Sequence, residues 1–361
     1  MLSTKIKLIL ISLVLASAAR AERVIEMARG LDHPWSLAFL PDGGVLVTER
    51  AGRLLRLEAG RLPMSIAGVP AVYNHSQGGL FDVVLHPQFT HNRLLFLSFA
   101  GGTAARNQTR IARARLDGNR LVDVQTIFQV TPAKDTLVHF GGRMAFLPDG
   151  SLIMTTGDGF DYREQAQRLQ SGLGKIVRLN DQGRALAGNP FAGVKGAQAS
   201  IWSYGHRNPQ GLAFDSVTGR LWAHEHGPRG GDELNLIRRG GNYGWPVATF
   251  GLDYSGATIS PFKRYKAMID ARQIWVPSIA PSGLAVYRGA LWPAWNGDLI
   301  IGALAAKQLR RVDVDAAGRV MGQERIFPSL NMRIRDVRVA PDGAIWVTTD
   351  EQKGRVLRVT P

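Results

Sequence analysis

The sequence contains no cysteine among its 361 residues. This absence excludes thiol catalysis, iron–sulfur clusters, cysteine-ligated zinc and a lipoprotein anchor. Charged residues make up only 20% of the chain and hydrophobic residues 45%, so the composition also excludes a disordered, collagenous or coiled-coil protein. A chain of this length buries enough surface to stabilise a core without disulfides.

Long apolar runs are also lacking. The run Leu8–Leu15 is much shorter than the roughly 20 residues that cross a bilayer. Two lysines precede it and Ala19-Arg20-Ala21 follows, as in a secretory signal peptide, with an uncleaved anchor as the alternative. We predict a leader at 1–21 cleaved after Ala21, a periplasmic or secreted protein without stable membrane insertion, and one catalytic domain at 22–361.

Acidic residues are in deficit, at 29 against 44 basic ones. The leader accounts for Lys5, Lys7 and Arg20 and no acid, so the mature chain has 41 bases against 29 acids, a net charge of +12. The excess is spread along the chain without basic runs, and we expect no nucleic-acid partner. An anionic small molecule, a membrane surface or a bias towards arginine codons explains it better.

A short motif recurs along the chain and defines internal repeats. The clearest copies are Ser36–Phe39, Arg143–Phe146, Gly211–Phe214 and Gly283–Val286, and weaker copies lie at Gly79–Val84 and Asp336–Val339. Six copies in one chain indicate six structural units.

Each unit continues with turn residues and then with β-type strands. Pro-Asp-Gly turns follow three of the motifs, and alternating strands come after them. Most units have room for four strands, which predicts an all-β, six-bladed β-propeller of four-stranded antiparallel blades. We expect Val24–Met27 to supply the strand that the last blade lacks, and a short helix at 161–171.

Counting outward from the hairpin turns shows which residues share one face. From the turn at Asp149, residues ten before and nine after emerge together, and these are His139 and Asp158. The same count brings Arg207 and Asn208 beside His226 and Gly227, and Met332 and Arg333 opposite Asp350 and Glu351. The insertion 157–173 lies at this end, and we predict that this is the active face.

His139 is the candidate general base on this face. A lone histidine is by default a structural one. A carboxylate across the hairpin, at Asp158, changes that balance because it orients the imidazole and raises its basicity.

The segment 224–233 concentrates histidines, acids and glycines. Zinc is one possibility, but a His-x-His pattern specifies no third ligand. Calcium suits the oxygen donors better, through the carbonyls of Gly227 and Pro228 and the side chains of Asp232 or Glu233. A turn with solvated acids is the third interpretation.

Four bases lie where strands enter or leave the active face, and each alone is explained as a solvated surface residue. Together they would form a site for a small polyanion, with arginines engaging carboxylates in pairs. They are Arg207, Lys307, Arg333 and Arg335.

Several longer segments resemble one known family. They are Gln77–Leu80, His139–Arg143, Trp202–Gly211, Glu225–Glu233, Asn242–Pro246 and Arg333–Val337. The chain resembles the soluble aldose sugar dehydrogenases that depend on pyrroloquinoline quinone (PQQ), within the glucose/sorbosone dehydrogenase superfamily of six-bladed propellers. The resemblance runs through nearly all of the mature chain.

The resemblance implies that the polyanion is PQQ, a tricarboxylate. By family analogy its ligands would be Gln77, His139, Arg207, Asn208, His226, Lys307, Arg333 and Arg335. Calcium on the carbonyls of Gly227 and Pro228 would polarise the quinone, and a second, structural calcium would involve Glu233 and Tyr243.

The resemblance also implies a reaction. His139 would take the proton of the anomeric hydroxyl of an aldose while hydride moves to the quinone, giving a lactone, with Asp158 and Arg207 completing the catalytic group. No electron-transfer centre is encoded, so an external quinone, dye or cytochrome would accept the electrons. A monomer and a dimer are both compatible with this fold.

Two other functions compete with this one. A calcium-dependent lactonase or other hydrolase on the same fold would bind its metal through side-chain carboxylates at the centre of the funnel. A binding propeller without a cofactor is the third hypothesis.

Overall fold

The computed structural model describes residues 22–361, which form six four-stranded antiparallel sheets. The first strand, β1 (Arg23–Leu31), belongs to the last blade. The predicted six-bladed propeller of four-stranded antiparallel blades is therefore confirmed. The leader predicted at 1–21 lies outside the described residues.

The first three blades follow one another along the chain. Blade 1 consists of β2 (Pro34–Phe39), β3 (Val45–Glu49), β4 (Arg53–Leu57) and β5 (Met64–Ile66). Blade 2 consists of β6 (Leu80–Leu85), β7 (Leu94–Gly102), β8 (Asn107–Asp117) and β9 (Arg120–Gln129), with a single helical turn α1 (Phe89–Asn92) between β6 and β7. Blade 3 consists of β10 (Gly141–Phe146), β11 (Leu152–Thr156), β12 (Lys175–Leu179) and β13 (Ile201–Tyr204).

The other three blades repeat the arrangement. Blade 4 consists of β14 (Pro209–Asp215), β15 (Arg220–Glu225), β16 (Asp232–Ile237) and β17 (Gln273–Trp275). Blade 5 consists of β18 (Pro281–Val286), β19 (Leu299–Ala303), β20 (Gln308–Val314) and β21 (Val320–Ile326). Blade 6 consists of β22 (Ile334–Val339), β23 (Ile345–Thr349), β24 (Gly354–Thr360) and β1.

The N-terminal strand closes the ring. β1 pairs antiparallel with β24, from Arg23 opposite Thr360 to Leu31 opposite Gly354. The segment Val24–Met27 lies in the N-terminal half of this strand, so it supplies the fourth strand of the last blade as predicted. The two ends of the described chain are thus held together by backbone hydrogen bonds.

The repeated motif occupies one position in every blade, the first strand of the sheet. These six strands line the axis, and buried apolar side chains fill the spaces between adjacent blades. Within the motif, for example, Leu37, Met144 and Leu212 are almost fully buried. Each such side chain contributes about 1.5–3 kcal/mol on burial, so the motif supplies both core and symmetry.

A buried network of charges joins the blades near the axis. Arg143 of β10 lies with its Nη1 2.7 Å from Asp336 Oδ1 of β22, and its guanidinium stacks 4.0 Å from the ring centre of Trp35. Arg338 bridges Asp336, at 3.0 Å, and Asp82 of β6, at 2.8 Å. Side chains of four blades therefore meet beneath the active face.

The active-face insertion of blade 3 contains less helix than predicted. In place of a helix at 161–171, one 3-10 turn spans Arg163–Gln167. The buried Lys175 ammonium donates to the carbonyls of Gln165 (2.7 Å) and Leu173 (2.6 Å), which replaces helical hydrogen bonds. No helix among residues 22–361 is long and apolar enough to cross a membrane.

Candidate active site

His139 and Asp158 meet at the ends of one hairpin. His139 comes just before β10 and Asp158 just after β11, and Nδ1 of the imidazole lies 2.7 Å from Oδ1 of the carboxylate. Both side chains are buried. The register count from Asp149 therefore predicted their contact correctly.

Asp158 is held by two further donors. Trp245 Nε1 donates to Oδ2 at 2.7 Å, and the backbone N–H of Phe160 donates to Oδ1 at 2.8 Å. Because the carboxylate accepts from every neighbour, the imidazole donates to it through Nδ1. The other ring nitrogen of His139, Nε2, is then the one that can accept a proton.

The surroundings of His139 keep its imidazole neutral. Burial lowers its pKa below the usual 6.5, and the positive charges of Arg207 and Lys134 act in the same direction, while Asp158 opposes them. A neutral imidazole at neutral pH is what a general base requires.

The backbone at His139 is strained into position. Its φ is 54°, a left-handed conformation that few non-glycine residues adopt. Its N–H donates to Gln77 Oε1 at 2.9 Å, and a Cβ at Gly157 would overlap its carbonyl group. Such strain persists only where neighbours hold it, and it is concentrated at functional sites.

Lys134 is a site residue that sequence reasoning missed. Its ammonium donates to Thr136 O (2.6 Å) and Asn107 Oδ1 (3.0 Å) and lies 3.6 Å from the ring centre of Phe140. Burial lowers its pKa to about 7, against the attraction of Asp158. No motif marks it, because it approaches the site from the loop before β10.

A cavity of about 290 Å³ opens at the axis on the same face. Five of the predicted cofactor residues line it, namely Gln77, Asn208, His226, Arg333 and Arg335. The last two arginines share the carboxylate of Asp350, at 2.8 and 3.1 Å. Burial alone would raise the pKa of Asp350, but the charges of the two arginines hold that pKa well below its usual range.

Other parts of this cavity were not predicted from the sequence. Arg50, at the end of β3, also lines it. Nine residues after the turn at Asp42 is Ala51, the neighbour of Arg50, so the register count used for the other blades indicates this arginine as well. Trp35, Phe81 and Phe140 form an aromatic wall, with ring centres 5.4 and 5.7 Å apart. The cavity thus combines three guanidinium groups with flat apolar surfaces.

Lys307 does not line this cavity. It is exposed in the turn between β19 and β20, with φ of 50°, and the neighbouring Leu304 lines the cavity instead. The turn places Lys307 in solvent outside the cavity, and the order of residues along the chain does not reveal this.

Arg207 lies in a second cleft beside the cavity, of about 280 Å³, together with Pro228 and Trp245. Its Nη1 donates to the carbonyl of Gly227 at 2.7 Å and to that of His226 at 3.1 Å. These carbonyl oxygens therefore face a positive charge on the active face.

The predicted metal ligands separate into two groups. Asp232 is fully occupied by the backbone: Oδ1 accepts from Gly227 N (2.9 Å), and Oδ2 accepts from Ile279 N (2.8 Å) and Ala280 N (3.0 Å). The Ser278 hydroxyl also donates to Oδ2, at 2.7 Å, so Asp232 accepts four hydrogen bonds and supports the loop 226–228, which we call the carbonyl loop.

Glu233 and Tyr243 line a small separate pocket with Asp270. Burial, together with the nearby Glu225, raises the pKa of Glu233 to about 8. A group of carboxylates that resists ionisation is one that a cation would stabilise.

The two histidines of the segment 224–233 serve the contact between blades 4 and 5. His226 Nε2 lies 2.7 Å from Pro281 O, and His224 Nε2 lies 3.3 Å from Gly283 O. Burial lowers the pKa of both to about 3. Within residues 22–361 no three His, Asp or Glu side chains are grouped to hold a metal ion.

A Ser-His-Glu arrangement lies behind the site. His206 Nε2 is 2.9 Å from Ser203 Oγ, and its Nδ1 is 2.9 Å from Glu225 Oε1. Ser203 and His206 are fully buried, so no substrate reaches them. Glu225 also accepts from the Arg207 backbone N–H, and the arrangement supports the turn that carries Arg207.

The six-bladed propeller thus has a cationic cavity and a buried His–Asp pair on one face, an arrangement typical of an enzyme active site. Residues 31–358 match the glucose/sorbosone dehydrogenase family model. The chain belongs to the glucose/sorbosone dehydrogenase family, whose members are sugar-oxidising enzymes.

Individual relatives agree with this membership. The chain is 43% identical to the aldose sugar dehydrogenase YliI of Escherichia coli, over 99% of this chain and 97% of that one. The structure of the soluble Escherichia coli aldose sugar dehydrogenase in its apo form superposes with a TM-score of 0.90, at 41% identity, over 94% of this chain and 100% of the other. The PQQ-bound aldose sugar dehydrogenase of Streptomyces coelicolor superposes with a TM-score of 0.77, at 30% identity, over 94% and 98%.

Proposed function

We propose that this protein oxidises aldose sugars at the anomeric carbon to lactones, with PQQ and calcium as cofactors and His139 as general base. One observation carries the proposal: the His139–Asp158 pair lies directly beside the cavity lined by arginines, because Gln77 lines that cavity and accepts the backbone N–H of His139. Fold class alone would not assign this chemistry.

The cavity suits a flat polyanion such as PQQ. Arg50, Arg333 and Arg335 line it, and Asp350 is the one carboxylate among the described residues around it. Planar guanidinium groups bind carboxylates in pairs, and the buried rings of Trp35, Phe81 and Phe140 give the cavity an apolar side. Gln77, Asn208 and His226 would complete the binding residues. Arg207 would approach from the adjoining cleft, and Lys307 from the exposed rim.

Calcium would bind at the carbonyl loop. Arg207 already donates to the oxygens of His226 and Gly227, so a calcium ion at this loop would share the Gly227 oxygen with the guanidinium. Asp232 already accepts four hydrogen bonds there, so we propose that the protein offers the calcium ion the neutral carbonyl oxygens of Gly227 and Pro228, and that the cofactor and water supply its other ligands. We propose a second, structural calcium at Glu233 and Tyr243, where a cation would offset the repulsion between buried carboxylates.

When bound, PQQ supplies the two-electron acceptor that the amino acids lack, and calcium supplies a positive charge beside it. The protein's own groups handle the proton. Nε2 of the neutral His139 accepts the proton of the anomeric hydroxyl, and Asp158 stabilises the imidazolium that forms. The positive charge of Arg207 lowers the pKa of His139 and so favours the neutral imidazole that accepts the proton.

The competing hydrolase hypothesis finds a single carboxylate among the described residues that line the cavity. It requires side-chain carboxylates at the centre of the funnel, and the Asp350 carboxylate that lines the cavity is paired with two arginines. We further propose that the leader exports the protein to the periplasm or beyond, and that an external quinone, dye or cytochrome receives the electrons.

Reconstitution tests the proposal. Purified apoprotein is incubated with calcium and PQQ, and glucose-dependent reduction of an artificial dye is followed. We expect reduction that needs both additions and disappears in chelator. Hydrolysis of a lactone without dye reduction would assign the protein to the hydrolases instead.

A further inference from the structure

Lys134 carries a buried ammonium group that is bonded to neutral partners. Its side chain is only 2% exposed. Among the described residues, Nζ has two hydrogen-bond acceptors, the carbonyl of Thr136 at 2.6 Å and Asn107 Oδ1 at 3.0 Å. Burying a charge among neutral groups is costly, and proteins keep such charges chiefly at functional sites.

The backbone fixes Lys134 in this place. Its N–H donates to Asn107 O at 2.9 Å, and its carbonyl accepts from Asn107 N at 2.7 Å. Lys134 is thus bonded from both sides to the first residue of β8, which also accepts from the ammonium. The charge is therefore held at one position, unlike that of a flexible surface lysine.

This position lies between the neighbours of the His139–Asp158 pair. Nζ of Lys134 is 3.6 Å from the ring centre of Phe140, the residue that follows His139. A Cβ at Gly159 would lie 2.7 Å from Lys134 Cδ, so the stem of the lysine packs against the residue that follows Asp158. The fold therefore places a fixed positive charge beside both members of the pair.

The charged groups around His139 act on its imidazole in opposite directions. Burial has the largest effect and lowers the pKa of His139, and Asp158, just after β11, opposes this change. Arg207, just before β14, and Lys134, in the loop before β10, act with burial. Burial also lowers the pKa of Lys134 to about 7, against the attraction of Asp158 and Asp135. The charge of Lys134 is therefore present in the acidic range where His139 would gain a proton, and it is lost at alkaline pH.

We propose that Lys134 is a positioning residue for the reaction, whose buried charge keeps His139 in the form that accepts a proton. The inference rests on the proposed function, in which His139 is the general base. Lys134 acts through His139 and exchanges no proton with the substrate. A neighbouring positive charge lowers the pKa of an imidazole by about 0.5–1.5, so a protein without this charge should protonate His139 at higher pH.

Two substitutions separate the charge of Lys134 from its hydrogen bonds. Lys134→Met removes both, and Lys134→Gln removes the charge but keeps N–H donors for Asn107 and Thr136. Each should raise the pKa of His139 by about 0.5–1.5, because the charge is lost in both. Lys195→Met is the control, since Lys195 is exposed in the connection between β12 and β13, and it should leave this pKa unchanged.

Imidazole NMR signals of the apoprotein measure the pKa of His139 directly. The signal that is missing in a His139→Gln variant assigns this residue, and the pH is lowered through the range in which melting temperatures show each protein to be folded. We expect both Lys134 variants to protonate His139 at higher pH than the wild-type and Lys195→Met proteins. Identical titrations in all four proteins, including a ring that stays neutral throughout, would overturn the proposal, as would a change in Lys134→Met alone.

Kinetics of the reconstituted holoenzyme give a second readout. The acidic limb of kcat/KM should move to higher pH by the same amount as the pKa of His139. The difference from the wild-type protein should shrink to less than about twofold near pH 9, where wild-type Lys134 is also uncharged. An equal loss of kcat/KM at every pH would show a structural role and overturn the proposal. If the wild-type protein reduces no dye, the proposed oxidation fails, and the NMR titration still decides whether Lys134 keeps His139 neutral.

Discussion

The Asp158→Asn substitution tests the role of the His139–Asp158 pair. Asp158 accepts from His139 Nδ1 and Trp245 Nε1, each at 2.7 Å, and from Phe160 N at 2.8 Å. An asparagine keeps the shape, but its NH2 group must face one of these donors. The imidazolium that forms during proton transfer also loses its negative partner.

The expected loss follows from that partner. A hydrogen bond to a charged group contributes about 1.5–3 kcal/mol, and each 1.4 kcal/mol corresponds to a factor of about ten. We therefore expect kcat to fall about 10- to 150-fold, while the PQQ dissociation constant changes by less than about threefold, because Asp158 does not line the arginine cavity.

Steady-state dye reduction gives kcat, and titration of the apoprotein gives the PQQ affinity. Asp117→Asn is the control, since Asp117 is exposed at the opposite end of β8, and it should leave both values unchanged. If Asp158→Asn kept more than half of the wild-type kcat, or lost PQQ affinity as severely as turnover, Asp158 would not be the partner of a catalytic base.

Three further predictions concern pH and stability. Activity should depend on a neutral His139, whose pKa is lowered by burial. We therefore expect kcat/KM to stay level above the ordinary histidine pKa of 6.5 and to fall only at more acidic pH. A continued rise of kcat/KM between about pH 7 and 9 would contradict this. Arg143→Met leaves Asp336 and Asp82 buried with one cation fewer. The free energy of unfolding measured in urea should therefore fall by about 3–5 kcal/mol, and a fall below about 1 kcal/mol would contradict the prediction. Lys175→Met removes the donor to three carbonyls of the insertion. The free energy of unfolding should fall by at least about 2 kcal/mol, and trypsin should cut the insertion in the native protein. Unchanged proteolysis would show that Lys175 does not hold the insertion.

The architecture was predictable because the repeats are local. Each motif combines a β-strand period with turn residues, and six copies leave few alternatives to a propeller. The register count needed only the hairpin turns, and it placed His139 with Asp158 correctly. The closing strand at Val24–Met27 was also predicted, because only Thr360 and Pro361 follow the third strand of the last unit.

Features that depend on long-range contacts could not be predicted in this way. Trp245 reaches Asp158 from the irregular connection 238–272, which has no periodicity to reveal its path. Lys134 is buried by its tertiary surroundings rather than by any motif. The predicted helix at 161–171 is replaced by one 3-10 turn, in which the carbonyl of Gln165 accepts a hydrogen bond from Lys175 of β12.

Side-chain direction limited the metal prediction. Asp232 and Glu233 are neighbours on β16, and successive side chains of a strand point to opposite faces. Asp232 therefore supports the carbonyl loop, and Glu233 faces the pocket with Tyr243. The composition of the segment indicated an oxygen-rich site but not this division.

A single-turnover experiment tests the central claim most directly. Protein loaded with PQQ and calcium is mixed with glucose in the absence of any electron acceptor, and the cofactor spectrum and the sugar product are followed together. We predict reduction of the bound PQQ with one equivalent of lactone per protein, and no reduction in a His139→Gln variant that still binds PQQ. Failure of the wild-type protein to bind PQQ, or binding without lactone formation, would contradict the assignment.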